Sequence, residues 1–217
     1  MKKIGLLIAL SALPLSALAD DVTAAAKIST LGYGLDVAIP VTESVDARLG
    51  FNTFSKNFNT STVNGLNTTN YQGTLSLGSF EALADWHPFA GSFRVSGGVM
   101  YNNNKFTMAA QPAGGFINVG GVNYPAAGAS VNAAVDFNKV APYLGIGFGS
   151  APKDSGFSFA TDLGIMFQGA PRANITTTGL AGPTLAADVA RANADLNAKL
   201  KNFQYYPVAS IGIGYTF

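Results

Sequence analysis

The sequence predicts an all-β protein: an eight-stranded antiparallel transmembrane (outer-membrane) β-barrel with one short helix in the last long loop. Three observations lead to this prediction. Bulky apolar residues alternate with small or charged ones, the connections alternate between short and long, and only 12% of the residues are charged. Soluble proteins carry about twice that charged fraction. An apolar exterior without a long apolar helix is expected to be built from strands.

The first residues predict export. Lys2 and Lys3 precede an apolar run of about a dozen residues that ends in an Ala-Leu-Ala site, a pattern typical of signal peptides. A run of this length is too short for a membrane-spanning helix, which needs about 20 residues. We therefore expect a signal peptide over residues 1–19 and one barrel domain over residues 20–217.

Charge and cysteine content exclude several functions. Without the two lysines of the signal peptide, eleven basic residues face twelve acidic ones, so the expected mature chain has no basic excess. Nucleic-acid binding is therefore not expected. The chain contains no cysteine, which excludes disulfides and thiolate metal sites. We expect neither a metal nor a cofactor.

The first four strands are predicted from apolar side chains at every second position. Bulky apolar residues from Leu31 to Ile39 share one face of such a segment, opposite glycine, alanine and Asp36. Three other segments show the same alternation, and the one that precedes Leu31 is short and weakly patterned. These four predicted strands lie near residues 22–29, 31–39, 45–51 and 80–86.

The last four strands are predicted in the same way. In the final segment, apolar and aromatic residues from Pro207 to Phe217 share one face, while glycines occupy the other. Such a segment suits a strand whose bulky side faces outward and whose small side leaves room inside a barrel. These four predicted strands lie near residues 93–101, 142–148, 157–167 and 207–217.

The connections predict an orientation. Short turns are expected at residues 40–44, 88–92 and 150–156, and long loops at residues 55–70, 108–130 and 169–202. Outer-membrane barrels have short periplasmic turns and longer extracellular loops. The long segments are therefore expected outside the cell.

The last long segment also predicts a helix. After Pro183, leucine and valine residues recur at near-helical spacing within residues 184–202. Such a helix could cap the barrel mouth, lie on the surface or contact a partner, and capping is the preferred interpretation. The uncharged loop 108–130 is the other expected contact surface.

The charged residues of the predicted strands lie opposite the aromatic face. A soluble barrel would enclose the aromatic residues, whereas a membrane barrel turns them toward lipid, and the charged opposite face favours the membrane barrel. The charges are then expected inside, as a constriction that selects charged solutes or as a salt-bridge plug. The plug is favoured because side chains fill an eight-stranded barrel. The predicted interior cluster consists of Asp36, Asp46, Arg48, Glu81, Asp85, Arg94 and Asp162.

The single histidine argues against an enzyme. His87 lies in an Asp-Trp-His-Pro sequence at a short turn. A catalytic dyad or triad that needs an imidazole base would have to use it. Outer-membrane enzymes resemble one another in placing catalysis at or above the outer leaflet, whereas a short turn lies at the opposite, periplasmic end. We therefore expect no catalysis at His87 and no enzymatic activity.

The last residues resemble a sorting signal. Ser210, Gly212, Tyr215 and Phe217 match the pattern polar-x-Gly-x-x-aromatic-x-aromatic, which resembles the C-terminal recognition signal of bacterial outer-membrane barrels. The resemblance implies that the outer-membrane insertion machinery is a partner.

Longer stretches resemble the CarO-type group of small eight-stranded outer-membrane proteins. They include LADWHPFAGSFRVSGGVMYNNNK, APYLGIGFGSAP, FATDLGIMFQGAPRANIT and YYPVASIGIGYTF. The stretch LGYGLDVAIPVTESVDARLGFN is in addition similar to the wider OmpA-like barrels. The resemblance implies the fold, the outer-membrane location and uptake of small basic solutes, and it brings no binding-residue motif.

Two functions from different classes follow. The first is a monomeric, non-enzymatic barrel in the lipid bilayer of the outer membrane, with a structural role or with restricted passage or binding of small solutes. The alternative is a surface adhesin or receptor that binds an extracellular ligand through its loops.

Overall fold

The computed structural model describes residues 22–64, 67–89, 91–149 and 155–217. The predicted signal peptide lies outside these residues. Within them, no helix combines the length and apolarity needed to cross a membrane. The described elements are β1 (Thr23–Ser29), β2 (Gly32–Thr42), β3 (Val45–Asn64), β4 (Asn67–Trp86), β5 (Phe93–Asn102), β6 (Lys105–Pro112), β7 (Phe116–Val119), β8 (Val122–Pro125), β9 (Ser130–Asp136), β10 (Val140–Phe148), β11 (Gly156–Phe167), β12 (Arg172–Thr178), α1 (Leu185–Leu200) and β13 (Tyr205–Thr216).

Eight strands form a closed antiparallel ring. Its order is β1, β2, β3, β4, β5, β10, β11, β13 and back to β1. Every ring strand therefore has a partner on both sides, which removes the free edges of an open sheet. The predicted eight-stranded antiparallel barrel is confirmed, and its strands are the eight segments in which the alternation was found.

The ring turns its apolar side chains outward. Along β10, exposed and buried residues alternate without interruption. Leu144 is 58% exposed, whereas the neighbouring Tyr143 is 5% exposed. Phe80 on β4 and Leu163 on β11 are likewise 62% and 61% exposed. Alternation with period two thus separates an apolar wall from an inner face.

Leu31 departs from the predicted pattern. The sequence groups it with the outward residues of the second strand, but it lies in the two-residue turn between β1 and β2 and is only 1% exposed. Gly32 follows with φ = 107°, a conformation that favours glycine. The turn interrupts the alternation of inward and outward side chains, so Leu31 points into the barrel while Tyr33, two residues later, points outward.

The three predicted long loops are largely ordered elements, which corrects the sequence interpretation. Residues 55–70 mostly belong to the extended hairpin of β3 and β4. Residues 108–130 contain the end of β6 and the β7–β8 hairpin, and residues 169–202 contain β12 and α1. Beyond the ring, β4 pairs with β6, β6 with β9 and β9 with β12. We call these four paired segments the outer sheet.

Helix α1 lies against the free edge of the outer sheet. Asn197 accepts from the backbone N–H of Ala173 at 2.9 Å and donates to the carbonyl of Ala173 at 2.9 Å. Asn193 makes the same two bonds with Ile175, at 2.7 and 3.3 Å. The side-chain amides of Asn193 and Asn197 thus form the hydrogen bonds that a neighbouring strand would form with the edge of β12. The helix contacts β12 and β7, and these contacts place it at a sheet edge instead of the predicted position over the barrel mouth.

Removing both amides is expected to expose the edge of β12. In the variant Asn193→Ala with Asn197→Ala, the N–H groups of Ala173 and Ile175 lose their acceptors, so their hydrogen exchange accelerates by about tenfold or more. Exchange measured by mass spectrometry on β12 peptides checks this. The control is Asp195→Ala, which changes an exposed neighbour on the same helix and leaves both amides in place. Unchanged exchange in the double variant contradicts the edge assignment.

The N-terminal end of α1 is held by a buried carboxylate. Asp188 is 2% exposed. Its Oδ2 accepts a hydrogen bond from the Tyr124 hydroxyl at 2.6 Å, and its Oδ1 accepts one from Arg191 at 3.1 Å. Arg191 also donates to the carbonyl of Gly120 at 2.9 Å. These bonds join the helix to the β7–β8 hairpin.

Acid is expected to loosen this junction. The hydrogen bonds from Tyr124 and then Thr184 lower the pKa of Asp188 below its ordinary value of 3.8. At a pH above the pKa of this carboxyl in the unfolded chain, the lowered pKa contributes stability to the docked helix. This contribution disappears as the pH falls through the pKa of the carboxyl in the folded protein. A spin label on Ala190→Cys, an exposed position close to Asp188 and unique because the chain has no cysteine, should gain mobility as the pH falls below the ordinary value of 3.8.

The matched variant carries the same label with Asp188→Asn. Its amide has no charge to titrate, so the label should already be mobile at pH 7 and should show no acid transition. A wild-type label that stays immobile down to pH 2 contradicts the role of the carboxylate.

Candidate functional site: the charged lumen

Inward-facing positions of six ring strands bring seven charged side chains together. Their inward direction follows from strand parity, because the residues before and after each of them face the apolar wall. All seven side chains are at most 8% exposed. The lumen cluster consists of Lys27, Asp36, Arg48, Glu81, Asp85, Arg94 and Asp162.

Arg48 lies at the centre of the lumen cluster. Its Nε is 2.8 Å from Asp85 Oδ2, and its Nη2 donates to Asp85 Oδ1 at 3.0 Å. Its Nη1 is 3.2 Å from Asp162 Oδ2 and 3.7 Å from Asp36 Oδ2. One guanidinium thus contacts three carboxylates, two of them closely, a task that suits its five donors.

Lys27 forms the second part of the cluster, on the opposite side of Asp36. Its ammonium pairs with Asp36 Oδ1 at 2.8 Å and also with the Glu81 carboxylate. Asn52 donates to Glu81 Oε2 at 3.1 Å, so the second carboxylate oxygen is also bonded. A buried charge is tolerated when its partners are close and its remaining lone pairs are bonded. Glu81 meets both conditions, whereas the Oδ1 of Asp36 has its ion pair with Lys27 but no hydrogen bond among the described residues.

Arg94 forms the third part, near the short turns. Its Nη2 pairs with Asp162 Oδ1 at 2.6 Å, and its Nη1 donates to the carbonyl of Gly149. Ser210 donates to Asp162 Oδ2 at 3.0 Å. Both oxygens of Asp162 are therefore bonded, and the arginine ties the cluster to the end of β10.

Glycines provide the space for these ion pairs. A Cβ at Gly147 would lie 2.6 Å from Asp162 Oδ1 and 2.7 Å from Arg94 Nε. A Cβ at Gly50 would clash with the carboxylate of Asp36. The glycine-rich inner face of the strands is therefore required by the charged side chains that cross the lumen.

An apolar layer fills the lumen at the end opposite the turn between β2 and β3. Its residues are at most 5% exposed and pack together above the charges. One of its members, Leu31, comes from the turn between β1 and β2. It consists of Leu31, Leu83, Met100, Ala141, Tyr143, Met166 and Val208.

Two small cavities adjoin the lumen cluster within the described residues. One of about 60 Å³ opens toward the short turns. A second, of about 10 Å³, lies toward the apolar layer. Lys27, Arg48, Asp162 and Ser210 line both, so they form the partition between them. The larger cavity has room for a few water molecules, whereas small-ligand pockets measure about 300–1,000 Å³.

The structure brings six of the seven predicted interior residues into the lumen cluster. Asp46 is the exception. It lies at the rim, beside the turn between β2 and β3, and its Oδ2 is 3.1 Å from His87 Nε2. His87 Nδ1 is 3.2 Å from the carbonyl of Gly91, so the predicted turn histidine bridges β3 and the turn after β4.

Sequence reasoning missed Lys27. Thr23, Ala25 and Lys27 share the inward face of β1, but the outward positions include Ala24 and Ala26, which hide the alternation. The parity of the better-patterned β2, to which β1 is paired, is the signal that could have found it. Asn52, Ser96 and Ser210 were also missed as ligands of the buried charges.

The residues of the predicted insertion signal lie on β13 and directly after it. Ser210 faces the lumen cluster, and Gly212 borders the larger cavity. Tyr215 packs edge-on against Phe157 and Phe217, with ring centroids 5.1 Å apart in both pairs. Recognition of these residues by insertion machinery stays a prediction.

A closed ring with an apolar outside and an ion-paired inside defines a small β-barrel. Among solved structures it is similar to CarO2 of Acinetobacter baumannii, with a TM-score of 0.59 and 20% identity over 91% of this chain and 99% of that chain. It is also similar to CarO of Acinetobacter baumannii, with a TM-score of 0.56 and 19% identity over 91% of this chain and 98% of that one. The predicted resemblance to CarO-type barrels is confirmed, and at this identity the likeness establishes the fold.

No family model matches the sequence, and no curated protein matches it significantly.

Proposed function

We propose that this protein is a non-enzymatic outer-membrane barrel whose lumen is sealed at rest. The observation that carries the proposal is the distribution of side chains on the closed ring. Large apolar residues such as Phe159 (71% exposed) and Leu49 (60% exposed) cover its outside. A lipid environment accounts for this wall, and closure of the ring satisfies the backbone in lipid. The protein is exported with the signal peptide removed and acts as a monomer.

Within this role, passage of solutes is restricted. The lumen cluster contains three cations and four carboxylates, so the fully ionised cluster has one excess negative charge. Any solute that enters must displace ion pairs from the partition formed by Lys27, Arg48 and Asp162. The excess charge favours small cations over anions, which agrees with the uptake of basic solutes implied by the resemblance.

The experiment has two arms. The purified protein is run unheated and boiled on a denaturing gel, and a shift in mobility is expected for a membrane barrel. The same sample is inserted into planar bilayers, where no steady single-channel conductance is expected. Unshifted mobility contradicts the membrane assignment, and steady conductance contradicts the sealed lumen.

The ordered outer sheet favours a second candidate, a surface receptor or adhesin. Five of the described strands and a helix lie beyond the ring and provide an ordered surface, more than the turns of a minimal barrel require. Replacing residues 113–129, which contain the β7–β8 hairpin, by a short Gly-Ser linker leaves the ring strands intact. Loss of binding to host or phage surface components supports the receptor, whereas loss of solute uptake in a deletion strain supports passage.

A further inference from the structure

We propose that the outward face of the outer sheet binds the phosphorylated sugar headgroup of a glycolipid in the outer leaflet. The inference rests on the proposed membrane orientation, in which the outer sheet lies on the extracellular side. It assigns a ligand to the outer sheet, which has no role in the proposed function of the lumen.

This face continues the lipid-facing wall of the barrel. The pairing of β4 with β3 runs without a register shift from Trp86 to Asn67. Gln72 and Thr74 therefore have the same parity as Phe80, which is on the outside of the ring and 62% exposed. A lipid whose tails contact the wall has its headgroup beside Gln72 and Thr74.

The row of paired residues nearest the ring is cationic. Ser76 pairs with Lys105, Lys105 with Asp136, and Asp136 with Arg172. Lys105 Nζ lies 4.0 Å from Asp136 Oδ1, and the two side chains are 48% and 50% exposed, so their ion pair is weak. Two cations against one carboxylate leave an excess positive charge, which suits a phosphate group.

The next two rows carry only uncharged side chains. Amide and hydroxyl groups both donate and accept hydrogen bonds, as sugar hydroxyls do. Two alanines in these rows remove bulk and leave a groove. In pairing order the rows are Asn57, Thr74, Thr107, Ala134 and Asn174, then Asn59, Gln72, Ala109, Asn132 and Thr176.

The groove has the size of a ligand site. Its volume is about 340 Å³, and residues from both uncharged rows line it. This volume lies within the range of small-molecule sites. Thr74 donates to Asn57 at 2.9 Å at one border of the face, while Gln72, Asn174 and Thr176 are exposed.

The order of polarity identifies the occupant. Moving away from the ring, the surface changes from apolar wall to cationic row to uncharged hydrogen-bonding rows. A phosphorylated glycolipid has the same order, from acyl tails to phosphate to sugar hydroxyls. A neutral sugar leaves the cationic row unused, and a simple phospholipid leaves the two uncharged rows unused.

The test measures binding of purified short-chain lipopolysaccharide to the full-length protein in detergent, by native mass spectrometry and by titration. The variant Lys105→Ala with Arg172→Ala is expected to weaken binding by about tenfold, because it removes charge-assisted contacts. The variant Gln72→Ala with Asn132→Ala is expected to weaken it severalfold. Enzymatic removal of the phosphates should reduce wild-type binding as much as the first variant does.

Lys56→Ala with Lys139→Ala is the charge-matched control, since it removes two exposed cations that belong to none of the three rows, and Lys56 lies on the opposite face of β3 from Asn57 by strand parity. It should bind as the wild type does. Equal binding by the Lys105 and Arg172 variant, or by the dephosphorylated glycolipid, overturns the inference. A heat-dependent gel shift in every variant keeps the barrel proposal standing in that case, whereas a wild type without the shift refutes the membrane proposal itself.

Discussion

Replacing Arg48 by alanine is expected to lower the free energy of unfolding of the barrel by about 3–5 kcal/mol, the usual cost of removing one partner from a buried ion-pair network. The side chain is 7% exposed and is the shared partner of Asp36, Asp85 and Asp162. Without it, four carboxylates face only two cations, and the close partners of Asp85 are lost, since Arg94 Nε lies 3.8 Å away.

Urea titration in lipid vesicles, followed by the fraction of protein with the folded gel mobility, measures this loss. Lys56→Ala is the control, because Lys56 is an exposed cation on the same strand, and its replacement should change stability by less than about 0.5 kcal/mol. Arg48→Met combined with Asp85→Asn should recover part of the loss by removing an unpaired charge. A loss below about 1 kcal/mol for Arg48→Ala rejects the central role of this arginine.

The ring was predictable because its environment imposes period two. Where one face forms the apolar wall and the other lines the lumen, side-chain character alternates, as Tyr143 and Leu144 illustrate. The outer sheet lacks this signal. On β3, which pairs with β4 of this sheet, Asn57 and Asn59 on the outward face alternate with Lys56 and Phe58 on the opposite face, so polar residues lie on both sides and the segment resembles a loop.

The lumen cluster was predictable in membership but not in pairing. Parity within one strand is local, so it places Asp36 and Arg48 inside. Which carboxylate meets which cation depends on the stagger of strands far apart in the sequence. Arg48 reaches Asp162 across the barrel, although 114 residues separate them. Asp46 has the correct parity but lies too close to the end of the barrel to join the cluster.

Docking of the helix shows the same limit. Apolar spacing predicts the extent of α1. The position of the helix depends instead on four polar residues that do not belong to the apolar pattern: Asp188, Arg191, Asn193 and Asn197. Asn193 and Asn197 follow each other by four residues and therefore face the same strand edge. Only the pairing of β12 with β9 determines that this edge is free to receive them.

The orientation of the wall determines the second large effect. Leu163→Arg, at the middle of β11, is expected to destabilise the folded barrel in lipid vesicles by about 2–4 kcal/mol. Leu163 is 61% exposed and lies between Ile146 and Ala209 of the neighbouring strands. At the midplane of a bilayer the guanidinium must leave water, whereas on a protein surface in water the same change costs less than about 0.5 kcal/mol.

Val63→Arg gives the matched comparison, because Val63 is 66% exposed but lies near the tip of the β3–β4 hairpin, far from the ring. Its free energy of unfolding should stay within about 0.5 kcal/mol of the wild-type value. The difference between the two variants therefore measures the surroundings of the wall and not the intrinsic effect of arginine in a strand. Equal and small effects at both positions would mean that the apolar wall faces water or another protein.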